Sequence, residues 1–182
     1  MRKEIVIAGS GGQGVQSLGS LLAKILDSKG YFVSLSFSYG PEARGGVSYS
    51  NIVIKDSPDD WPEIMQVDIM IALSQNGYNS CLNKTTPESI VIYDSDMVKP
   101  SSSLEKQYSV EAVKTATSLG SPIMTNMIML GAMAPVTGIF SPDDVSKIFK
   151  EKISEEDPRL EYIKRGYNLA EARIESPENL KV

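Results

Sequence analysis

The sequence predicts an α/β fold: a three-layer α/β/α sandwich built on a mostly parallel sheet with one antiparallel element. Short apolar runs typical of buried strands alternate with segments whose apolar residues recur at helical spacing. The link between the apolar runs at 31–37 and 47–54 is too short for a parallel crossover, so these two strands should be antiparallel. The 182 residues fit one domain, which we expect over 1–175, with a loose tail at 176–182.

The first half of the chain is predicted to contain four strands and two helices. Gly30 is typical of a helix end, and the residues at 56–62 are typical of a loop. In chain order, we expect a strand at 4–9, a helix at 14–28, strands at 31–37, 47–54 and 67–73, and a short helix at 76–82.

The second half is predicted to be mainly helical after one further strand at 89–93. Ser141 and Pro142, followed by two acids, have the pattern of a capped helix N-terminus. We expect a polar connection at 97–108, a helix from Ser109 or Glu111 to about Leu119, an apolar helix over 124–134, a helix from Pro142, and a last helix at 158–173.

The composition excludes several classes of function. The chain has no histidine and one cysteine, Cys81, which removes histidine-based catalysis and argues against zinc and iron–sulfur sites. We therefore expect Cys81 to be a core residue and the chain not to complete a reaction alone. The net charge of −5 and the lack of a basic tract argue against nucleic acid as a partner. With no signal peptide and no long apolar run, we expect a cytoplasmic protein that does not contact the membrane.

A first glycine-rich loop follows the first predicted strand, at residues 9–14. Gly9, Gly11 and Gly14 fit the dinucleotide fingerprint G-x-G-x-x-G, which would make the chain a stand-alone Rossmann-like nucleotide-binding protein. That fingerprint also requires an acid at the end of the second strand, and the run at 31–37 has none. The glycines alternatively allow a tight turn, and the Gln13 amide could face a ligand, a partner subunit or solvent.

A second glycine-rich loop, Ser-Tyr-Gly-Pro-Glu-Ala-Arg-Gly-Gly, occupies residues 38–46. Arg44 offers a planar fork of donors that suits phosphate or carboxylate, and Tyr39 offers a stacking face with a polar tip. The alternative is an ion pair between Arg44 and Glu42 that holds the loop itself. We favour a ligand or interface role, because binding residues concentrate in well-defined loops.

The two loops together resemble those of the gamma subunit of 2-oxoacid:ferredoxin oxidoreductases, which act on pyruvate, 2-oxoglutarate, branched-chain 2-oxoacids or indolepyruvate. The stretches at 72–75, 93–96 and 126–132 also resemble that family, and the likeness extends over about residues 3–170. The second loop is most similar to that of the 2-oxoglutarate type.

The resemblance implies that the chemistry belongs to other subunits. Such complexes use thiamine diphosphate with Mg, pass electrons through [4Fe-4S] clusters to ferredoxin, and transfer the acyl group to coenzyme A. This chain would bind no cofactor alone and would join alpha, beta and ferredoxin-like delta subunits. It would supply an assembly surface and part of the wall around the active site or the coenzyme A entrance.

The candidate residues for ligand or subunit contact lie in the two loops and in three further positions. They are Gly11, Gly12, Gln13, Gly14, Tyr39, Gly40, Pro41, Glu42, Arg44, Gly45 and Gly46, with Ser74, Gln75 and Asn126 as additional candidates. No catalytic or metal-ligating residue is assigned. Asp94 and Asp96, at the end of a predicted strand, are expected to be helix caps or turn residues.

Overall fold

The computed structural model describes residues 2–40, 46–57, 63–101 and 104–175. Its six strands are β1 (Lys3–Ser10), β2 (Phe32–Tyr39), β3 (Val47–Lys55), β4 (Val67–Ala72), β5 (Thr85–Asp94) and β6 (Gln107–Val110). Its six helices are α1 (Val15–Ser28), α2 (Gln75–Cys81), α3 (Ala112–Ser118), α4 (Thr125–Thr137), α5 (Pro142–Lys152) and α6 (Arg159–Ile174). The predicted tail at 176–182 lies outside the described residues.

The strands form one mixed sheet in the order β2-β3-β1-β4-β5-β6. The strand β3 is antiparallel to both β2 and β1, whereas β1, β4, β5 and β6 are parallel to one another. Five strands therefore run in one direction and β3 runs in the other, which confirms the predicted mostly parallel sheet with one antiparallel element.

Side chains of alternating strand residues enter two separate cores, one on each face of the sheet. Ile5 and Ile7 of β1 pack with α1, α4, α5 and α6, whereas Val6 and Ala8 pack on the opposite face with Tyr78 of α2. The helix α4 is the centre of the larger core, since every residue from 126 to 134 is buried. The three layers are thus unequal, with most helices on one face.

Two details differ from the sequence-based expectations. The segment 107–110 forms the edge strand β6, where we expected the end of a polar connection and the start of a helix. Its polar residues find partners that the sequence does not show: the Gln107 amide accepts from the Tyr78 hydroxyl at 2.7 Å and donates to the Ser101 carbonyl. The helix α4 also continues through Pro135 to Thr137 and is capped by Gly138, whose φ of 66° suits a C-terminal cap.

The N-terminus of α5 is built as the sequence predicts. The Ser141 hydroxyl accepts a hydrogen bond from the Asp144 N–H, and the Asp144 carboxylate accepts one from the Ser141 N–H at 2.8 Å. This reciprocal capping satisfies two backbone donors that a helix start otherwise leaves free. The Lys29 ammonium, 2.7 Å from the Asp144 carboxylate, joins the same corner to the end of α1.

Candidate functional site

The candidate residues that the structure describes lie at one edge of the sheet, where β1, β2, β4, β5 and β6 end. We call this the carboxyl edge: the loop 11–14, Tyr39 and Gly40, Gly46, the segment 73–75 and the turn 95–98. The N-termini of α1, α2 and α3 begin at the same edge. Ligands of α/β sheets bind beyond the carboxyl ends of the strands, so this is the part of the fold suited to binding.

The Gln13 amide joins the first glycine loop to the end of β4. Its Oε1 atom accepts from the Ser10 N–H at 2.6 Å, and its Nε2 atom donates to the Leu73 carbonyl at 2.8 Å. Both ends of the amide are thus engaged within the chain. Gln13 therefore fixes the shape of the loop and leaves the surrounding glycines as the surface that a ligand or partner would meet.

Gly11 and Gly12 form the outer surface of this loop. Both are exposed, and a Cβ atom at either position would meet no neighbouring atom within 4 Å. Gly12 has a φ of 86°, a left-handed conformation that side chains rarely adopt. The loop therefore presents main chain to its surroundings, and α1 starts behind it without a side-chain cap.

Gly14 and Asn126 form the floor of the same loop. Gly14 has a φ of 71°, and its carbonyl accepts a hydrogen bond from Asn126 Nδ2 at 3.2 Å. Asn126 is only 6% exposed, and its Oδ1 atom has no hydrogen-bond partner among the described residues. The start of α4 is thereby held directly against the start of α1.

The described part of the second loop continues the sheet. The Gly40 N–H donates to the Val47 carbonyl at 2.7 Å, which extends the β2–β3 ladder past Tyr39. Tyr39 is 70% exposed, and its hydroxyl accepts a hydrogen bond from the amide of Gln16 in the first turn of α1. The end of β2 therefore lies beside the first turn of α1, which follows the first glycine loop. Gly46 is half-buried, whereas Pro41, Glu42, Arg44 and Gly45 lie outside the described residues.

Ser74 and Gln75 organise the start of α2. The Ser74 hydroxyl accepts from the Gly77 N–H at 3.1 Å and so caps the helix. The Gln75 amide accepts from the Lys99 N–H at 2.8 Å and donates to the Lys99 carbonyl at 3.3 Å. These contacts fasten the turn after β5 to α2 and give both residues a supporting role in this edge.

Asp94 and Asp96 act as turn and cap residues, as expected. Asp94 Oδ1 accepts from the Asp96 N–H at 3.1 Å, and Asp96 Oδ2 accepts from the Lys114 N–H at 2.8 Å in the first turn of α3. Asp94 is fully buried, and its Oδ2 atom has no hydrogen-bond partner in the part of the chain that the structure describes. Burial, reinforced by the neighbouring Asp96 carboxylate, raises the pKa of Asp94 to about 6.

Because this pKa lies above its ordinary value of 3.8, we predict a pH-dependent stability that Asp94→Asn removes. Between pH 4 and pH 6 the folded chain holds a proton that the unfolded chain has lost, so the free energy of unfolding falls as pH rises. Two pKa units correspond to about 3 kcal/mol over the whole titration, of which about 2 kcal/mol falls between pH 4.5 and pH 7. Urea unfolding of the wild-type protein and of Asp94→Asn at pH 4.5 and pH 7 measures this change. The same change in the free energy of unfolding with pH in both proteins would contradict the prediction.

Exposed apolar side chains at the carboxyl edge were not among the predicted site residues. Met97 follows β5 and is 44% exposed, and Ile123 precedes α4 and is 72% exposed. A contiguous apolar patch would mark a contact surface, whereas apolar side chains exposed singly are ordinary. Ile123 lies one residue before the predicted apolar helix at 124–134. The helical spacing of apolar residues therefore does not predict whether its side chain is buried or exposed.

The other sequence-based exclusions concern metals, nucleophiles and membranes. In the described ranges, no group of three or more histidine, cysteine, aspartate or glutamate side chains could hold a metal ion. Cys81 is buried as predicted, and this burial raises the pKa of its thiol. A helix both long and apolar enough to cross a membrane is absent from the same ranges.

Comparison with known proteins places this fold in a family. The pyruvate ferredoxin/flavodoxin oxidoreductase family model matches residues 4–172. A 2-oxoglutarate synthase subunit, KorC, of Methanocaldococcus jannaschii is 34% identical, over 93% of this chain and 95% of the relative. The ketoisovalerate oxidoreductase subunit VorA of Methanothermobacter thermautotrophicus is 34% identical over 82% of this chain but only 31% of its own length.

A solved structure of a related protein shows the same architecture. The gamma subunit of a keto/oxoacid ferredoxin oxidoreductase from Geobacter sulfurreducens superposes with a TM-score of 0.78 and 28% identity, over 93% of this chain and 99% of that one. The family model and the full-length relative agree with this superposition. The chain therefore belongs to the pyruvate ferredoxin/flavodoxin oxidoreductase family.

Proposed function

We propose that this chain is the gamma subunit of a 2-oxoacid:ferredoxin oxidoreductase and that its carboxyl edge completes a site shared with partner subunits. The observation that supports the proposal is the hydrogen bond between Gln16 and Tyr39, which joins the end of β2 to the first turn of α1, directly after the first glycine loop. Gly11 and Gly12 expose main chain there. With no histidine and one buried cysteine, the chain lacks the usual means of completing the reaction alone.

The proposed substrate is 2-oxoglutarate. The M. jannaschii relative that matches nearly the full length of both chains is a 2-oxoglutarate synthase subunit, which supports this choice over ketoisovalerate. The complex would decarboxylate the 2-oxoacid oxidatively, transfer the acyl group to coenzyme A and deliver electrons to ferredoxin. Thiamine diphosphate with Mg and the [4Fe-4S] clusters would be bound by other subunits.

The proposed partners are the alpha, beta and ferredoxin-like delta subunits. VorA supports a large neighbour, because the region similar to this chain occupies only 31% of that polypeptide. The remaining two thirds would correspond to a separate subunit on which this chain docks. We place the complex in the cytoplasm, since a chain with a single cysteine forms no internal disulfide and suits a reducing compartment.

The stand-alone nucleotide-binding alternative gains no support. The dinucleotide fingerprint requires an acid at the end of the second strand, but β2 ends with Ser38 and Tyr39. The relatives are subunits of oxidoreductases, and the family match covers nearly the whole chain.

The test of a ligand-contact role is Arg44→Ala in the reconstituted complex, with Arg165→Ala, on the exposed side of α6, as the matched control. Loss of a charged hydrogen bond to coenzyme A, worth about 1.5–3 kcal/mol, should raise the KM for coenzyme A at least tenfold. The KM for 2-oxoglutarate and the size of the complex should stay unchanged. Dissociation of the complex, or an equal effect of both variants, would contradict ligand contact by Arg44.

A further inference from the structure

A cavity of about 440 Å³ lies between α4, α5 and α6, within the size range of small-molecule pockets. One face of α6 forms a wall of this cavity, because the lining residues of that helix recur at i, i+3, i+4, i+7 and i+8. They are Leu160, Ile163, Lys164, Tyr167 and Asn168. From α4 come Gly131, which has no side chain, and Ala134, which has only a methyl group. The space between the three helices therefore stays unfilled.

Two contacts hold α5 beside this cavity. The ion pair of Lys29 and Asp144 fastens its first turn to the end of α1. Near its other end, the Arg159 guanidinium at the start of α6 lies over the Phe149 ring, 5.4 Å from the ring centre. Arg159 is itself fixed by the Asp157 carboxylate at 2.7 Å. The cavity is thus a consequence of how the helices are fastened to one another.

The interior of the cavity is apolar. Phe140 and Val145 are each 3% exposed, and Ile163 is 5% exposed. Water inside the cavity would find few hydrogen-bond partners on these side chains, so an apolar group that displaces it gains free energy.

Two of the polar lining residues already have partners within the chain. The Ser146 hydroxyl donates to the Pro142 carbonyl at 3.0 Å, and the Tyr167 hydroxyl donates to the Glu171 carboxylate at 2.8 Å. They therefore have less capacity to orient a ligand than a polar group without such a bond.

Lys164 and Asn168 are the polar lining residues that offer free donors. Both are exposed, and neither side chain makes a hydrogen bond or ion pair with another described residue. Lys164 is also the single charged residue among the described residues that line the cavity. One ammonium and one amide N–H at the opening of an apolar cavity match one carboxylate on an apolar chain. A nucleotide, with several phosphate charges and a polar sugar, matches these walls poorly.

We propose that this cavity binds a small apolar carboxylate of the medium-chain fatty acid class. The hydrocarbon chain would lie against Phe140 and Ile163, and the carboxylate would lie at Lys164. None of the described lining residues belongs to the carboxyl edge. The inference therefore goes beyond the proposed function and does not depend on the 2-oxoacid or on the role of Arg44.

The test is titration calorimetry of the full chain with octanoate and with 1-octanol, which has the same chain length but no charge. We expect one octanoate per chain, with 1-octanol bound about fivefold more weakly, the upper value for an exposed ion pair. Lys164→Gln should weaken octanoate by the same factor and leave 1-octanol unchanged. Lys147→Gln, an exposed position of α5 outside the cavity lining, should change neither affinity.

Two further measurements locate the ligand. Octanoate should shift the methyl NMR signals of Val145 and Ile163, which line the cavity, but not those of Val91 in the core on the opposite face of the sheet. Ala134→Leu should abolish binding of both ligands, because the larger side chain fills the cavity. If Ala134→Leu fails to fold, the comparison of octanoate with 1-octanol in the lysine variants decides the question.

Four outcomes would overturn the proposal. They are no saturable binding of octanoate below about 1 mM, equal affinities for octanoate and 1-octanol, equal effects of the two lysine variants, and methyl shifts outside the cavity. Displacement of octanoate when partner subunits are added would assign the cavity to subunit docking and would also refute a ligand site.

Discussion

Replacing Gly131 or Gly166 by alanine should lower the free energy of unfolding by about 3 kcal/mol, the upper part of the usual range for overpacked sites. The two glycines lie at the crossing of α4 and α6. A Cβ on Gly131 would overlap the Ile163 carbonyl, and a Cβ on Gly166 would overlap the Ile128 carbonyl. Both obstacles are helix backbone, which cannot rotate away as a side chain can, so the two helices would have to separate.

Urea unfolding of the two variants measures this loss. Alanine is favoured over glycine within a helix by up to about 1 kcal/mol, so the clash has to overcome a gain in helix propensity. Gly11→Ala is the matched control, because a Cβ there meets open space and its φ is not left-handed. A loss at Gly131 or Gly166 no larger than that of the control would show that the helices do not cross this closely.

Replacing Gly14 by alanine should lower the free energy of unfolding more than replacing Gly12 by alanine in the same loop. The left-handed φ of 71° costs a side chain about 1–2 kcal/mol, and a Cβ there would also overlap the Asn126 amide. Gly12→Ala is the control, because Gly12 has a similar φ of 86° but no neighbour within 4 Å. The excess loss in Gly14→Ala over Gly12→Ala therefore measures the clash with Asn126.

A double-mutant cycle makes the test specific. In the Gly14→Ala background, Asn126→Ala should restore part of the lost stability, whereas alone it should destabilise by removing the hydrogen bond to the Gly14 carbonyl. Equal losses in the two glycine variants, or additive effects of Gly14→Ala and Asn126→Ala, would contradict this packing. Assembled complexes carrying Gly14→Ala should also lose activity, because the loop it supports would shift.

The sequence was sufficient to predict most of the architecture, because that architecture follows from local patterns. Apolar periodicity located five of the six strands, and the short link after β2 fixed β3 as antiparallel. The strand β6 was missed because only Val110 among its four residues is buried, so its pattern carries no strand signal. Its existence depends on pairing with β5, which is a tertiary interaction.

The position of the candidate loops at the ends of strands was predictable, but the contacts within them were not. The loops at 9–14 and 38–46 are recognisable from glycine content, and their neighbourhood follows from the ends of the strands. The partners of the Gln13 amide include the Leu73 carbonyl, 60 residues away, which no local pattern specifies. Whether Met97 and Ile123 are exposed likewise depends on which other parts of the folded chain pack against them. The roles of Tyr39 and Arg44 toward a ligand or partner subunit stay predictions.

Activity of the reconstituted complex with and without this chain tests the central claim most directly. The other subunits would be purified together, and viologen reduction that depends on 2-oxoglutarate and coenzyme A would be followed before and after this chain is added. If the carboxyl edge completes a shared site, omission reduces the rate to background, and addition of the chain, inactive alone, restores it. Full activity without this chain would contradict the account.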